Sequence, residues 1–132
     1  MLIVDTNVLV DVLEGDPDWA EWSIGQLRAQ AQVHELAINP IIYAELSLAF
    51  VTVEALDAVV SQMRLTVAEV PRPALFLAGQ ACLRYRRAGV GKGSVLSDFF
   101  IGAHAAVERC PLLTRDVQRY RTYFPTVELI AP

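Results

Sequence analysis

Only two cysteines, Cys82 and Cys110, occur in 132 residues. Two cannot define a disulfide framework, and both lie in helix-like apolar contexts. They read as reduced core residues of a cytoplasmic protein. Positive charge is scarce as well. Eleven Lys and Arg against fifteen Asp and Glu leave a net charge of −4, which argues against a nonspecific coat on nucleic acid. No apolar stretch reaches the ~18 residues of a membrane span. Asp5 and Asp11 interrupt the first hydrophobic run, which also lacks a basic leader, so no secretory signal is expected. The two histidines, His34 and His104, share no compact zinc-ligand spacing with the cysteines. Residues Ala88 to Ser94 include Gly91-Lys92 but not the full phosphate-loop pattern, and they follow a helix rather than a strand. There is no serine-centred nucleophile motif.

Apolar residues, by contrast, are abundant. They make up 54 % of the chain, with a mean hydropathy of +0.36. A substantial core can form, and apolar surface for self-association or a partner is expected. Charge is divided unevenly. Residues 1–69 hold eleven acids and two bases, giving −9, whereas residues 70–132 hold four acids and nine bases, giving +5. An acidic first half beside a basic second half permits a local phosphate-binding surface, or charge complementarity within a dimer.

Strand-like and helix-like segments alternate. Residues 2–4, 36–38, 65–67, 112–113 and 127–130 read as short strands. Helices are expected over about 7–13, from Asp16-Pro17 to about 32, from Asn39-Pro40 to about Phe50, over 53–63 after a Thr52 cap, over 73–87, from Ser94 or Ser97 to about 109, and over 117–120. A glycine-rich loop spans Ala88 to Val95. The alternation implies an α/β fold with a mostly parallel sheet covered on both faces. No linker or repeat divides residues 1–132, which read as one domain.

Four acids hold positions suited to chemistry. Asp5 directly follows the first strand, and Asp116 lies just past the strand Leu112-Leu113. Ligands of parallel sheets gather beyond such strand ends. Glu45 sits a turn and a half into the helix leaving the second strand, and Asp98 in the first turn of its own helix. At ~6 Å and an effective dielectric of ~20, one like-charged pair costs about 3 kcal/mol. Several such pairs require protonation or a divalent cation. Oxygen donors of this kind suit Mg²⁺ or Mn²⁺.

With Leu2-Ile3-Val4-Asp5-Thr6-Asn7 at the start, Glu45 after the second strand, Ser97-Asp98 opening a small-residue helix and Leu112-Leu113-Thr114-Arg115-Asp116 near the end, the sequence resembles the PIN-domain nucleases. More narrowly, it resembles the VapC toxins of bacterial and archaeal toxin–antitoxin systems. The resemblance spans nearly the whole chain. It implies a three-layer α/β/α sandwich, a homodimer, a cognate antitoxin, and tRNA or another structured RNA as substrate. It further implies that Asp5, Glu45, Asp98 and Asp116 bind catalytic Mg²⁺ or Mn²⁺, with Asn7 and Thr114 orienting the acids or water. Cleavage would leave a 5′-phosphate and a 3′-hydroxyl. His104 stands six residues beyond Asp98, about 600° of helical rotation, and is assigned no catalytic part.

RNA approaching a negative pocket needs cations around it. Arg86, Arg87 and Lys92 form one group with Arg84, and Arg115 lies beside the strand-end acid. Tyr85, Tyr120 and Tyr123 read as packing residues first and base-stacking residues second. Trp19, Trp22 and the first helices offer an apolar groove to an antitoxin. The reading is therefore a metal-dependent endoribonuclease toxin. Its alternatives are a DNA nuclease or related phosphodiesterase with the same acids, and a noncatalytic protein- or RNA-binding module that keeps the nuclease fold.

Overall fold

The computed structural model describes residues 1–89 and 96–132. Five strands form one sheet: β1 (Leu2–Val4), β2 (Leu36–Ile38), β3 (Thr66–Val67), β4 (Leu112–Leu113) and β5 (Leu129–Ile130). Their order is β3-β2-β1-β4-β5, and every pairing is parallel. Parallel neighbours require crossovers, and these are helices. Helices α1 (Thr6–Glu14) and α2 (Ala20–Ala31) join β1 to β2, and α3 (Pro40–Leu46) and α4 (Val53–Gln62) join β2 to β3. Helices α5 (Arg72–Arg87) and α6 (Leu96–Glu108) carry the chain back across the sheet to β4, and α7 (Gln118–Tyr123) leads on to β5. Right-handed crossovers place helices on both faces. The result is the expected α/β/α sandwich.

The chain runs outward from β1 to β2 and β3, then returns to β4 on the other side of β1. The topological switch therefore falls between β1 and β4, with Val4 in register with Leu113. Such a point opens a crevice at the carboxyl ends of the two strands. Asp5 and Thr114 are the first residues beyond those ends.

The centre of the sheet is apolar, with β1, β2 and β4 wholly buried and the edge strand β3 exposed. Helix α6 is nearly as enclosed: Phe99 and Ile101 through Ala105 are all buried, so it is apolar on most of its circumference. Ala74, Ala78 and Ala81 give α5 a small-residue stripe that packs on α6. Gly102 marks the tightest approach. A Cβ there would lie 2.3 Å from Phe124 Cδ2, and Phe124 is itself buried. Gly102→Ala is thus expected to destabilise the fold by about 2–3 kcal/mol through overpacking, measurable by urea denaturation.

Several boundaries differ from expectation for local reasons. Asp16 Oδ1 accepts from the Asp18 and Trp19 N–H groups at 2.8 and 2.9 Å, forming a turn that delays α2 to Ala20. Ser47 Oγ donates back to the Ala44 carbonyl, and α3 gives way at Leu46 to a 3₁₀ turn over Ser47–Ala49. Asn39 and Thr52 cap α3 and α4 as their sequence positions imply. The last helix begins at Gln118 and continues to Tyr123. Ser97 lies inside α6, while Ser94 falls outside the described residues.

Candidate active site

Asp5 is both the residue after β1 and the N-cap of α1, where its Oδ1 accepts from the Thr6 N–H at 2.7 Å. That geometry turns its second oxygen into the crevice. Oδ2 accepts from Thr114 Oγ1 at 2.8 Å, from the Tyr120 hydroxyl at 2.8 Å and from Asn7 Nδ2 at 3.4 Å. Only 4 % of Asp5 is exposed. Burial pushes its carboxyl from an ordinary 3.8 up to about 6, and the negative charge of Asp98 adds to the rise. The Thr114 and Tyr120 hydrogen bonds pull the other way without cancelling it.

Asn7 fastens α1 to the segment after β4. Its Oδ1 accepts from the Arg115 N–H at 3.1 Å, while its amide reaches Asp5 and Thr114. Thr114 is fully buried, and its hydroxyl oxygen also accepts from the Asp116 N–H at 3.1 Å. The Asp116 backbone therefore joins this web, while Asp116 as a residue is exposed and lines a cleft with Tyr85 and Arg119. Glu45 enters by another route. Its Oε1 accepts from Thr6 Oγ1 at 2.6 Å, next to Asp5 in the chain. Asp98 is half-buried in the first turn of α6 and pairs with Arg119 Nη1 at 2.5 Å.

The fold thus assembles Asp5, Asn7 and Thr114 in direct contact, brings Glu45 up through Thr6, and places the Asp98 charge close enough to act on Asp5. The four carboxylates do not converge on a point. Among the described residues, no three Asp, Glu, His or Cys side chains are grouped to hold one ion. Glu45 and Asp98 each turn to a local partner instead. The donor chemistry nevertheless fits a hard cation, since the crevice offers carboxylate oxygens and a hydroxyl. A positive ion there would also offset the burial of Asp5. His104 stands apart. It is buried, its Nδ1 lies 3.3 Å from Asn39 Nδ2, and burial lowers its pKa.

Arg115 differs from expectation. Its Nε and Nη2 grip both oxygens of Asp11 at 2.6 and 2.8 Å, and its guanidinium lies 5.1 Å from the Trp19 ring centroid. Asp11 is buried and takes a further bond from Ser23. A buried carboxylate needs such a partner, so Arg115 serves the fold through Asp11. Arg86 and Arg87 are exposed at the end of α5 and form no salt bridge among the described residues. Lys92 lies outside those residues. Trp19 and Trp22 pack edge to face, ring centroids 6.1 Å apart. Both cysteines are free, Cys110 buried and Cys82 half-buried.

Two site residues, Thr6 and Tyr120, escape the sequence reading, as does the pairing of Arg119 with Asp98. Tyr120 follows Asp116 by four residues, near the start of α7, and that short spacing is the available signal. Burial raises its hydroxyl well above 10, with the charges of Asp5, Asp98 and Glu45 adding to the effect. It stays protonated and donates. Tyr120→Phe is expected to raise the Asp5 pKa above about 6 and to cost about 1 kcal/mol of stability. An NMR titration of the Asp5 carboxyl carbon checks the first effect.

The model of the PIN domain matches residues 2–125. The chain belongs to the PIN-domain family. Solved structures carry the same fold at low identity. The chain is similar to VapBC2 from Rickettsia felis bound to a promoter DNA fragment, at 22 % identity and a TM-score of 0.75, covering 99 % of this chain and 98 % of that one. VapBC-1 from nontypeable Haemophilus influenzae gives 16 % identity and a TM-score of 0.73, covering 98 % and 96 %. DNA-bound VapBC from Salmonella typhimurium gives 20 % and 0.72, with the same two coverages. No curated protein sequence matches the chain. In this PIN domain Asp5 and Thr114 meet at the β1–β4 switch point.

Proposed function

We propose that this PIN domain is a metal-dependent endoribonuclease, the toxin half of a toxin–antitoxin pair. One observation carries the reading: a buried Asp5 at the switch point, held by Thr114, Tyr120 and Asn7, with the Asp98 charge acting on it. A carboxylate kept in so unfavourable a place serves chemistry better than it serves stability.

Asp5, Glu45, Asp98 and Asp116 would hold Mg²⁺ or Mn²⁺. When bound, such an ion acidifies water and offsets charge on the scissile phosphate. The chain does the positioning. Thr114 and Tyr120 fix one oxygen of Asp5 and the Thr6 N–H fixes the other, so the carboxylate cannot rotate away. Thr6 holds Glu45 at the rim. Arg119 neutralises Asp98 on the side from which a polyanion would come. Arg86 and Arg87 offer further positive charge to RNA.

The solved relatives described above include VapBC complexes, which supports an antitoxin partner here. A groove of about 470 Å³ beside α2 and α4, lined by Val12, Ile24, Leu27, Met63 and Leu65, suits one apolar face of a helix. Phe76 is 71 % exposed on α5, with Leu75 and Leu83 near it. That face supports a homodimer. No described helix is long and apolar enough to cross a membrane. A toxin acting on cellular RNA would work in the cytoplasm.

The test is cleavage of total cellular RNA and matched DNA by protein freed of its partner, with Mg²⁺ or Mn²⁺, comparing wild type with Asp98→Asn. RNA cleavage that falls at least ~100-fold in the variant is expected. Equal cleavage by both proteins overturns the assignment of Asp98. Cleavage of DNA alone overturns the substrate. Tight partner binding with no metal-stimulated cleavage marks a noncatalytic module.

A further inference from the structure

We propose that the cleft between α5 and α7 is a subsite for one unpaired nucleobase of the RNA substrate, set beside the acidic crevice. The proposal rests on the ribonuclease reading above and adds the form in which the RNA is held.

The cleft has a volume of about 310 Å³ and is lined by Tyr85, Asp116, Gln118, Arg119, Thr122 and Tyr123. That is the low end of the ~300–1,000 Å³ usual for small-ligand sites. It admits one base with its ribose and excludes a duplex. Its chemistry matches a flat, partly polar ring. Tyr85 and Tyr123 are half-buried and meet edge to face, centroids 5.9 Å apart at 63°. Both are braced from behind by Phe99, at 5.4 and 5.2 Å. Arg84 lies 5.6 Å from the Tyr123 centroid and donates to the Tyr123 carbonyl at 3.3 Å, which fixes that wall further. Rigid aromatic walls stack bases of any identity. Gln118 and Thr122 are exposed and supply an amide and a hydroxyl for the edge of the base.

Position links the cleft to the reaction. Arg119 joins this cleft to the acidic crevice through Asp98, and Asp116 lines the cleft while its backbone is tied to Thr114. The Arg119 guanidinium spans the two, paired with Asp98 and 5.9 Å from the Tyr85 centroid. A base laid against the tyrosine wall of the cleft puts its own phosphate beside that guanidinium. There the phosphate meets positive charge on its way to the acids, where otherwise it would meet only repulsion. An unstacked nucleotide is required, because a paired base cannot enter. Substrates would then be cut in loops, bulges or single strands.

Photocrosslinking and affinity test this together. Short single-stranded oligoribonucleotides carrying 5-iodouridine are bound to the protein in Ca²⁺, and adducts are mapped by mass spectrometry. Adducts on Tyr85 or Tyr123 are expected in the wild type. Thr122→Trp, which fills the cleft from an exposed position, is expected to weaken binding roughly tenfold and to abolish those adducts. Val33→Trp, at an exposed position before β2 and so at the other end of the sheet, is expected to bind as the wild type does. A base-paired hairpin stem is expected to give no tyrosine adduct. Adducts elsewhere in the wild type, or unchanged affinity in a folded Thr122→Trp protein, overturn the subsite even if RNA is cleaved. Absence of any RNA binding overturns it as well. Tyrosine adducts without Mn²⁺-dependent cleavage leave the subsite standing and remove the nuclease reading. Adducts from single-stranded DNA of equal strength overturn the assignment to RNA.

Discussion

Asp5→Asn is expected to abolish phosphodiester cleavage and, in chelator, to raise the melting temperature. The two effects have opposite sign because they arise from one cause. The carboxyl is buried, and its pKa rises from 3.8 to about 6. A carboxyl with a raised pKa binds its proton more tightly in the folded state than in the unfolded chain. Its contribution is therefore full below about pH 3.8 and is lost as pH climbs through about 6. That interval corresponds to roughly 3 kcal/mol. Asparagine carries no charge at any pH and still accepts from Thr114 and Tyr120, though its amide nitrogen cannot accept from the Thr6 N–H, a loss of about 1 kcal/mol. At pH 7.5 the variant should melt on the order of 5–10 °C higher than the metal-free wild type, and the difference should vanish toward pH 4. Activity should fall at least ~100-fold, since a neutral amide is a poor ligand for a hard cation. Calorimetric melts across pH, with cleavage assays beside them, measure both. A variant that is less stable than the wild type at pH 7.5 would show that Asp5 is ordinary framework.

Arg115→Ala is expected to damage the fold more than RNA binding. Both Asp11 oxygens are held by the guanidinium, and the Asp11 side chain is only 3 % exposed. Removing the arginine leaves that carboxylate with Ser23 alone. Breaking a buried pair costs about 3–5 kcal/mol. The low end applies here because the guanidinium is partly solvated. The stacking on Trp19 is lost as well. A fall of about 3 kcal/mol in urea denaturation is expected. Asp11→Asn combined with Arg115→Met should recover part of it, because no charge is then stranded. RNA affinity of the folded fraction should change less than twofold. A stable Arg115→Ala protein with strongly weakened RNA binding would return Arg115 to the substrate surface.

These two residues also show where sequence reading succeeds and where it stops. Asp5 was legible because a single local pattern, an apolar strand ending in an acid and a helix start, places it at a sheet's carboxyl edge. Thr114 was legible for the same reason at β4. The parallel sheet followed from alternating elements, and the caps at Asn39 and Thr52 from adjacent residues. Arg115 has the same local credentials as a phosphate ligand, yet its partner lies 104 positions away on the buried side of α1. Tyr120 meets Asp5 across 115 positions, and Arg119 meets Asp98 across 21. No local pattern encodes such pairings, because they depend on how α7 docks on the sheet. Glu45 falls between the two cases: its helix was evident, and its tie to Thr6 was not.

Calorimetric titration of Mn²⁺ into the wild type and into a variant carrying both Asp5→Asn and Asp116→Asn goes most directly to the central claim, that the β1–β4 crevice is built to hold a divalent ion. Saturable binding by the wild type and at least ~100-fold weaker binding by the double variant is the expected result. Equal affinity in the two proteins would place the ion elsewhere and contradict the account.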